Sequence, residues 1–284
     1  GQNMINMIKM DLYRLFRTKS MYVIWLILAA LVVLSTFFCK SDYEYMLNED
    51  VAMNEQTVSV DTENVNIGMN VELPTKPGEK VTVFDIFFAN SQGKFYTLFM
   101  VIFAIIFATA DISSGYIKNI AGQVKSRKML IISKAVSLAV YTVITLIGAF
   151  VLQIISNAIV FGEVAFGNVD DVVLYLGIQL ILHYAIVVIC MTIAIIIRNN
   201  VISMVMSICL VMNIMSIIYM AVNKIIEKMG IKNFQIYKYT VTGELSFLPM
   251  NPTVKESVMA ACVGIGFIII MLIAGSTVFQ KRDI

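Results

Sequence analysis

Residues 172–197 read VVLYLGIQLILHYAIVVICMTIAIII, a stretch without a single Asp, Glu, Lys or Arg. An α-helix rises about 1.5 Å per residue, so a run of this length crosses a hydrocarbon core of about 30 Å. Similar apolar runs occupy residues 21–39, 92–110, 135–160, 201–222 and 257–278. Only Arg198, Asn199 and Asn200 divide the fourth run from the fifth, which reads as a tight polar turn. A hydrophobic share of 59%, a charged share of 14% and a mean hydropathy of +0.83 exceed what a soluble domain of 284 residues tolerates on its surface. The expected fold is an all-α integral membrane protein with six transmembrane helices.

Ahead of the first run, residues 1–20 alternate Ile5, Ile8, Leu12, Leu15 and Phe16 with Lys9, Arg14, Arg17 and Lys19. That pattern suits an amphipathic helix lying in the interface of an anionic bilayer, ahead of a transmembrane domain over 21–284. Gly1 to Asn3 read as a tag remnant before a start at Met4. Trp25 is expected to anchor the first span at the interface. No small-residue cleavage site follows Cys39, which argues against a removed leader.

Net charge is only +2, but the charges segregate by loop. Segments 1–20 and 111–134 hold four and five basic residues against one acidic residue each, whereas 40–94 holds four basic against ten acidic. The positive-inside rule therefore places both termini in the cytoplasm. The outer segment 223–256 runs against this trend with five lysines. An amphipathic stretch on the outer membrane surface, with its lysines snorkelling, accommodates them. The outer loop 40–94 is long enough for a small lid, and 57–60 and 81–84 read as short extended pieces.

No GxxxxGK[ST] phosphate loop and no GxSxG elbow occur, and one histidine excludes HExxH or any two-histidine metal site. No catalysis and no bound cofactor or metal are expected of this chain. Cys39, Cys190, Cys209 and Cys262 lack CxxC spacing and read as packing residues. The polar residues inside the runs are more informative. Gln179 and His183 lie one turn apart on one helix face, as do Gln153 and Asn157, and Asn213 sits in the fifth run beside Met212. Such polar groups must face other helices or a wet cavity, so Gln153, Asn157, Gln179, His183 and Asn213 are candidates either for a translocation path, together with Met212, or for helix-to-helix hydrogen bonds. Met204, Met206, Met212, Met215 and Met220 would form a tolerant apolar surface or plain filler. Ala260 and Gly264 have the spacing for close helix approach.

Between the second and third spans runs DISSGYIKNIAGQVKSRKMLIISK, residues 111–134. Asp111, Ser113 or Ser114 can cap a helix, and Ile117, Ile120 and Val124 form an apolar stripe beside basic residues. Such a helix can dock in a partner's groove, and it equally satisfies the charge rule alone.

With its interfacial helix at 7–19, its long outer loop and an acid-to-Gly-to-basic segment ending in Ser126-Arg127 and Ser133-Lys134, the whole chain resembles a permease subunit of the type 2 ABC transporter family. The resemblance implies that residues 113–128 form a coupling helix. In it Ser114, Gly115, Ile117, Lys118, Ile120, Val124, Lys125 and Arg127 would meet a cytoplasmic ABC ATPase. It further implies a dimer of permease chains with two ATPase subunits, which bind the ATP and Mg, in the bacterial cytoplasmic membrane. Residues 223–252 loosely match the membrane-dipping helices such permeases carry before the sixth span. Small permeases of this kind resemble bacterial exporters of amphipathic toxins, bacteriocins or phenol-soluble modulins. Spans without a carboxylate fit an amphipathic peptide or lipid-like cargo better than an ion, and nothing points to nucleic acid. Two other classes remain open: an ion-coupled transporter or channel, and a membrane-embedded sensor or immunity protein that holds an antimicrobial peptide at the 40–94 loop.

Overall fold

The computed structural model describes residues 4–49, 71–113 and 126–281, and within them the secondary structure is helical throughout, with no strand. The elements are α1 (Met4–Arg17), α2 (Lys19–Glu49), α3 (Val83–Gln92), α4 (Phe95–Ser113), α5 (Lys128–Phe161), α6 (Val169–Ile197), α7 (Asn200–Val211), α8 (Ser216–Lys228), a 3-10 turn (Ile236–Tyr239), α9 (Val241–Phe247) and α10 (Val254–Lys281). Four of these, α2, α5, α6 and α10, are long and apolar enough to cross a membrane. Two bent pairs, α3 with α4 at 53° and α7 with α8 at 55°, raise the number to six if each pair counts as one span.

The quoted run forms α6, the centre of the bundle. Of its most apolar window 67% is buried, against 17% for α10, and α6 packs on α4, α5, α7, α9 and α10. Its ends follow from local chemistry. The Asn168 side chain accepts from the Asp170 amide at 3.1 Å, and Asp170 and Asp171 complement the positive end of the helix dipole. At the far end Arg198 takes a left-handed φ of 57°, and Asn199 caps α7 by accepting from the Ile202 amide at 3.1 Å. This is the polar turn expected at 198–200. The small-residue face of α10 also meets its expectation: a Cβ at Gly264 would lie 2.7 Å from Ile181 Cγ2 of α6.

Several expectations need correction. The first span continues past Cys39 to Glu49, so residues 40–49 of the supposed loop are helical. Residues 81–84 are not an extended piece. Thr82 is an N-cap, its Oγ1 accepts from the Asp85 amide at 3.0 Å, and Asp85 Oδ2 accepts from the Thr82 amide at 2.8 Å, so the capping box starts α3 at Val83. Helix therefore begins nine residues ahead of the expected second span, and α3 meets α4 at a bend at Gly93 and Lys94. The 57–60 piece lies outside the described residues. Trp25 reaches across to α5, where Nε1 donates to Thr145 Oγ1 at 2.9 Å and the ring stacks on Tyr141. Met206 and Met220 point outward, while Ser203, Ser207 and Val211 form the buried face of α7.

Candidate functional site

Ser114, Gly115, Ile117, Lys118, Ile120, Val124 and Lys125 lie outside the described residues, and Arg127 stands half-buried just before α5. The helix ends that bracket them are described. On α1, Met7, Asp11 and Leu15 recur every four residues and are buried, whereas Ile5 is 65% exposed and Tyr13 and Phe16 also face outward. One stripe thus meets the protein while the neighbouring apolar stripe faces outward. Asp11 is only 2% exposed, accepts a hydrogen bond from Ser133 Oγ of α5 and lies 3.6 Å from Arg14. One residue further along α5, Lys134 Nζ sits 5.1 Å from the Phe107 ring of α4. Thr109 of α4 in turn donates to the Asn200 side chain at the start of α7. The start of α5 is therefore tied to α1, and the end of α4 to α5 and α7.

Toward the opposite end the interior becomes polar. Asn90 Nδ2 donates to Ser35 Oγ at 3.0 Å and to Gln153 Oε1 at 3.3 Å, and Gln153 Nε2 donates to Thr36 Oγ1 and Asn157 Oδ1, both at 2.8 Å. This network joins α2, α3 and α5. A second centre lies between α4 and α6, where His183 Nδ1 donates to the Gln179 carbonyl at 2.8 Å and Nε2 pairs with Thr97 Oγ1 at 2.9 Å. Between the two stand Tyr96 and Tyr175 with fully buried rings; Phe87 lies 5.4 Å from the first and 6.4 Å from the second. The Tyr175 hydroxyl lies near the Gln179 amide and Ser91, and Tyr96 lies near Asn90. None of these hydroxyls closes a hydrogen bond of normal geometry, and neither does the Gln179 amide or the Asn157 Nδ2. Each orphaned group costs about 1–3 kcal/mol unless water or a polar ligand reaches it.

Four of the six residues proposed for a path, Gln153, Asn157, Gln179 and His183, thus belong to these two centres. Met212 and Asn213 sit elsewhere in the fold, at the α7–α8 bend, with Asn213 buried at φ 57°. Sequence reasoning missed Asn90, Thr97 and Lys94, which it assigned to a loop or left unremarked. The signal was the polar interruption NSQGK between two apolar runs. Lys94 is 2% exposed at the α3–α4 bend and adopts a left-handed φ of 65°, so a buried ionisable residue sits between these two helices. Asp11 was also missed as a packing residue; it is the one carboxylate on a stripe that is otherwise apolar.

No curated protein matches this chain. A family model does match, over residues 50–284, which is most of the length and includes every span after the first. The chain belongs to DUF2705, a family of proteins of unknown function.

Proposed function

We propose that this chain is the membrane-embedded permease subunit of an ATP-driven exporter, seated in a bacterial cytoplasmic membrane with both termini inside. A separate ATPase, two copies per permease dimer, would bind ATP and Mg and press on residues 113–128. One observation carries this reading: of the two helix ends that bracket the basic segment, α5 is bonded to α1, α4 meets α5 through Lys134 over Phe107, and α4 is bonded to α7. A push on such a segment moves helices rather than a slack loop. Those same helices lead to the polar centres at Gln153 and His183, whose orphaned groups are suited to an amphipathic peptide or lipid-like cargo with a few polar atoms.

Purification of the chain with candidate ATPase subunits tests the reading. A stable complex is expected, with ATPase stimulation falling about tenfold or more on joint Lys125→Glu and Arg127→Glu substitution. No association, or association indifferent to the reversal, removes it. Labelling of Lys118 from the exterior face would also remove it. Buried Lys94 favours a second reading, ion-coupled transport, because an ionisable group inside a span is a relay candidate. Transport that persists without ATP and vanishes in Lys94→Met would support that alternative.

A further inference from the structure

Where the 3-10 turn, α9 and the start of α10 meet, they enclose a cleft of about 490 Å³, within the range of small-molecule sites. Its walls are aromatic: Phe234 stacks on Tyr239 at 5.6 Å and Tyr237 leans on Phe247 at 4.7 Å. The approach of turn to helix depends on Gly243, where a Cβ would stand 2.1 Å from the Tyr237 carbonyl oxygen. Next to it Glu244 lines the cleft at 8% exposure, and its carboxylate makes no hydrogen bond or ion pair among the described residues. The other carboxylate, Glu256, is engaged: Oε2 accepts from the Thr253 amide at 2.8 Å and from Thr253 Oγ1 at 3.0 Å. Lys238 and Lys255 line the cleft from its exposed rim. Beside Thr253 and Lys255 in the chain, Val254 is 82% exposed.

We propose that this cleft binds the head group of a zwitterionic phospholipid, with the ammonium against Glu244 and the aromatic faces and the phosphate at Lys238 and Lys255. The order of groups matches such a lipid read from its tip: cation deepest, phosphate at the rim, acyl chains along the exposed apolar side chains. A largely buried carboxylate that accepts no hydrogen bond is costly, and an ammonium supplies the donor it lacks and adds to the weak attraction of Lys238. Aromatic faces add cation–π attraction. Burial, reinforced by Glu256, pushes the Glu244 carboxyl up to about 7, so deprotonation on the arrival of a cation falls in an accessible range. The charged and titratable groups facing it are Glu256, Lys238, Lys255, Tyr237 and Tyr239. This site requires neither an ATPase nor a transported cargo.

The test uses the full chain purified in a neutral detergent and titrated with short-chain phosphatidylethanolamine, short-chain phosphatidylglycerol or free ethanolamine. Thermal shift and native mass spectrometry report binding. Phosphatidylethanolamine is expected to bind about tenfold more tightly than the other two at pH 8 and about tenfold more weakly at pH 5.5 than at pH 8. Glu244→Gln should abolish both the preference and the pH dependence, while Lys238→Ala with Lys255→Ala weakens binding about threefold. Because the Gln variant keeps the side-chain shape, its unliganded unfolding temperature verifies that it is folded. Equal binding of the two lipids overturns the proposal, as does undiminished binding to Glu244→Gln. Free ethanolamine binding as tightly as the lipid overturns the assignment to a phospholipid.

Discussion

The two ends of the bundle are built differently. At the α1 end, helices are joined near their termini by polar ties: the buried Asp11 to Ser133, Lys134 over Phe107, and the part-buried Thr109 to Asn200. At the other end the chain is broken into short pieces. There α3 has 10 residues, the 3-10 turn 4 and α9 7, all below the length at which a helix holds itself in water. Left-handed residues cluster toward this half, with Lys94 at φ 65° and Asn233 at φ 66°. Long helices fastened at one end carry displacement; short pieces held only by packing can rearrange or open around a ligand. This contrast is why a drive site is assigned to the first end and a binding cleft to the second.

The sharpest way to break the contrast is Gly243→Ala. The new Cβ meets a backbone oxygen that cannot swing aside, so a loss of about 3 kcal/mol is expected, seen as a lower unfolding temperature of the detergent-solubilised chain. An unchanged unfolding temperature would mean that the turn and α9 yield freely. At the fastened end, Asp11→Leu should cost roughly 2–3 kcal/mol by stranding Ser133 and Arg14, and Asp11→Asn should cost less because the amide oxygen can still accept. If both variants unfold like the parent, the tie between α1 and α5 carries no energy.

The Glu244 carboxyl sharpens the comparison through pH. Its protonated form is favoured in the folded chain, so folding binds a proton between the ordinary value of 4.5 and about 7. Stability is therefore lost as pH rises across that window. Replacement by Gln should stabilise the chain at pH 8 by roughly 2 kcal/mol after allowance for solvent screening, and by almost nothing at pH 4. A pH-independent gain in unfolding temperature would contradict this. The smallest effect is expected at the bend. Lys94→Gly should exceed Lys94→Ala in stability by about 1 kcal/mol, because only glycine takes the left-handed backbone without strain. Urea unfolding of the two variants measures the difference directly, and equality would show that the bend relaxes.

Much of the architecture was legible along the chain. Uninterrupted apolar runs located α2, α5, α6 and α10, and Arg198-Asn199-Asn200 marked a turn, because helix length and local capping depend on residues close in sequence. The four-residue spacing of Gln153 and Asn157 placed them on one face, where their side chains do meet. The errors fell where an apolar run crosses a polar interruption. The stretch around Asn90 and Lys94 reads as loop by charge, but it is interior, since the apolar residues of α3 draw it into the bundle.

Length, hydropathy and helix face belong to the sequence alone, since a backbone in lipid must close its own hydrogen bonds and so becomes helical wherever the side chains are apolar. Partnership belongs to the tertiary structure. That Asn90 meets Gln153, that Ser133 finds Asp11 and that Glu244 lines a cleft with aromatic rings but accepts no hydrogen bond depend on which helices cross and at what angle. Those crossings are set by packing between residues far apart in the chain, which no local pattern encodes.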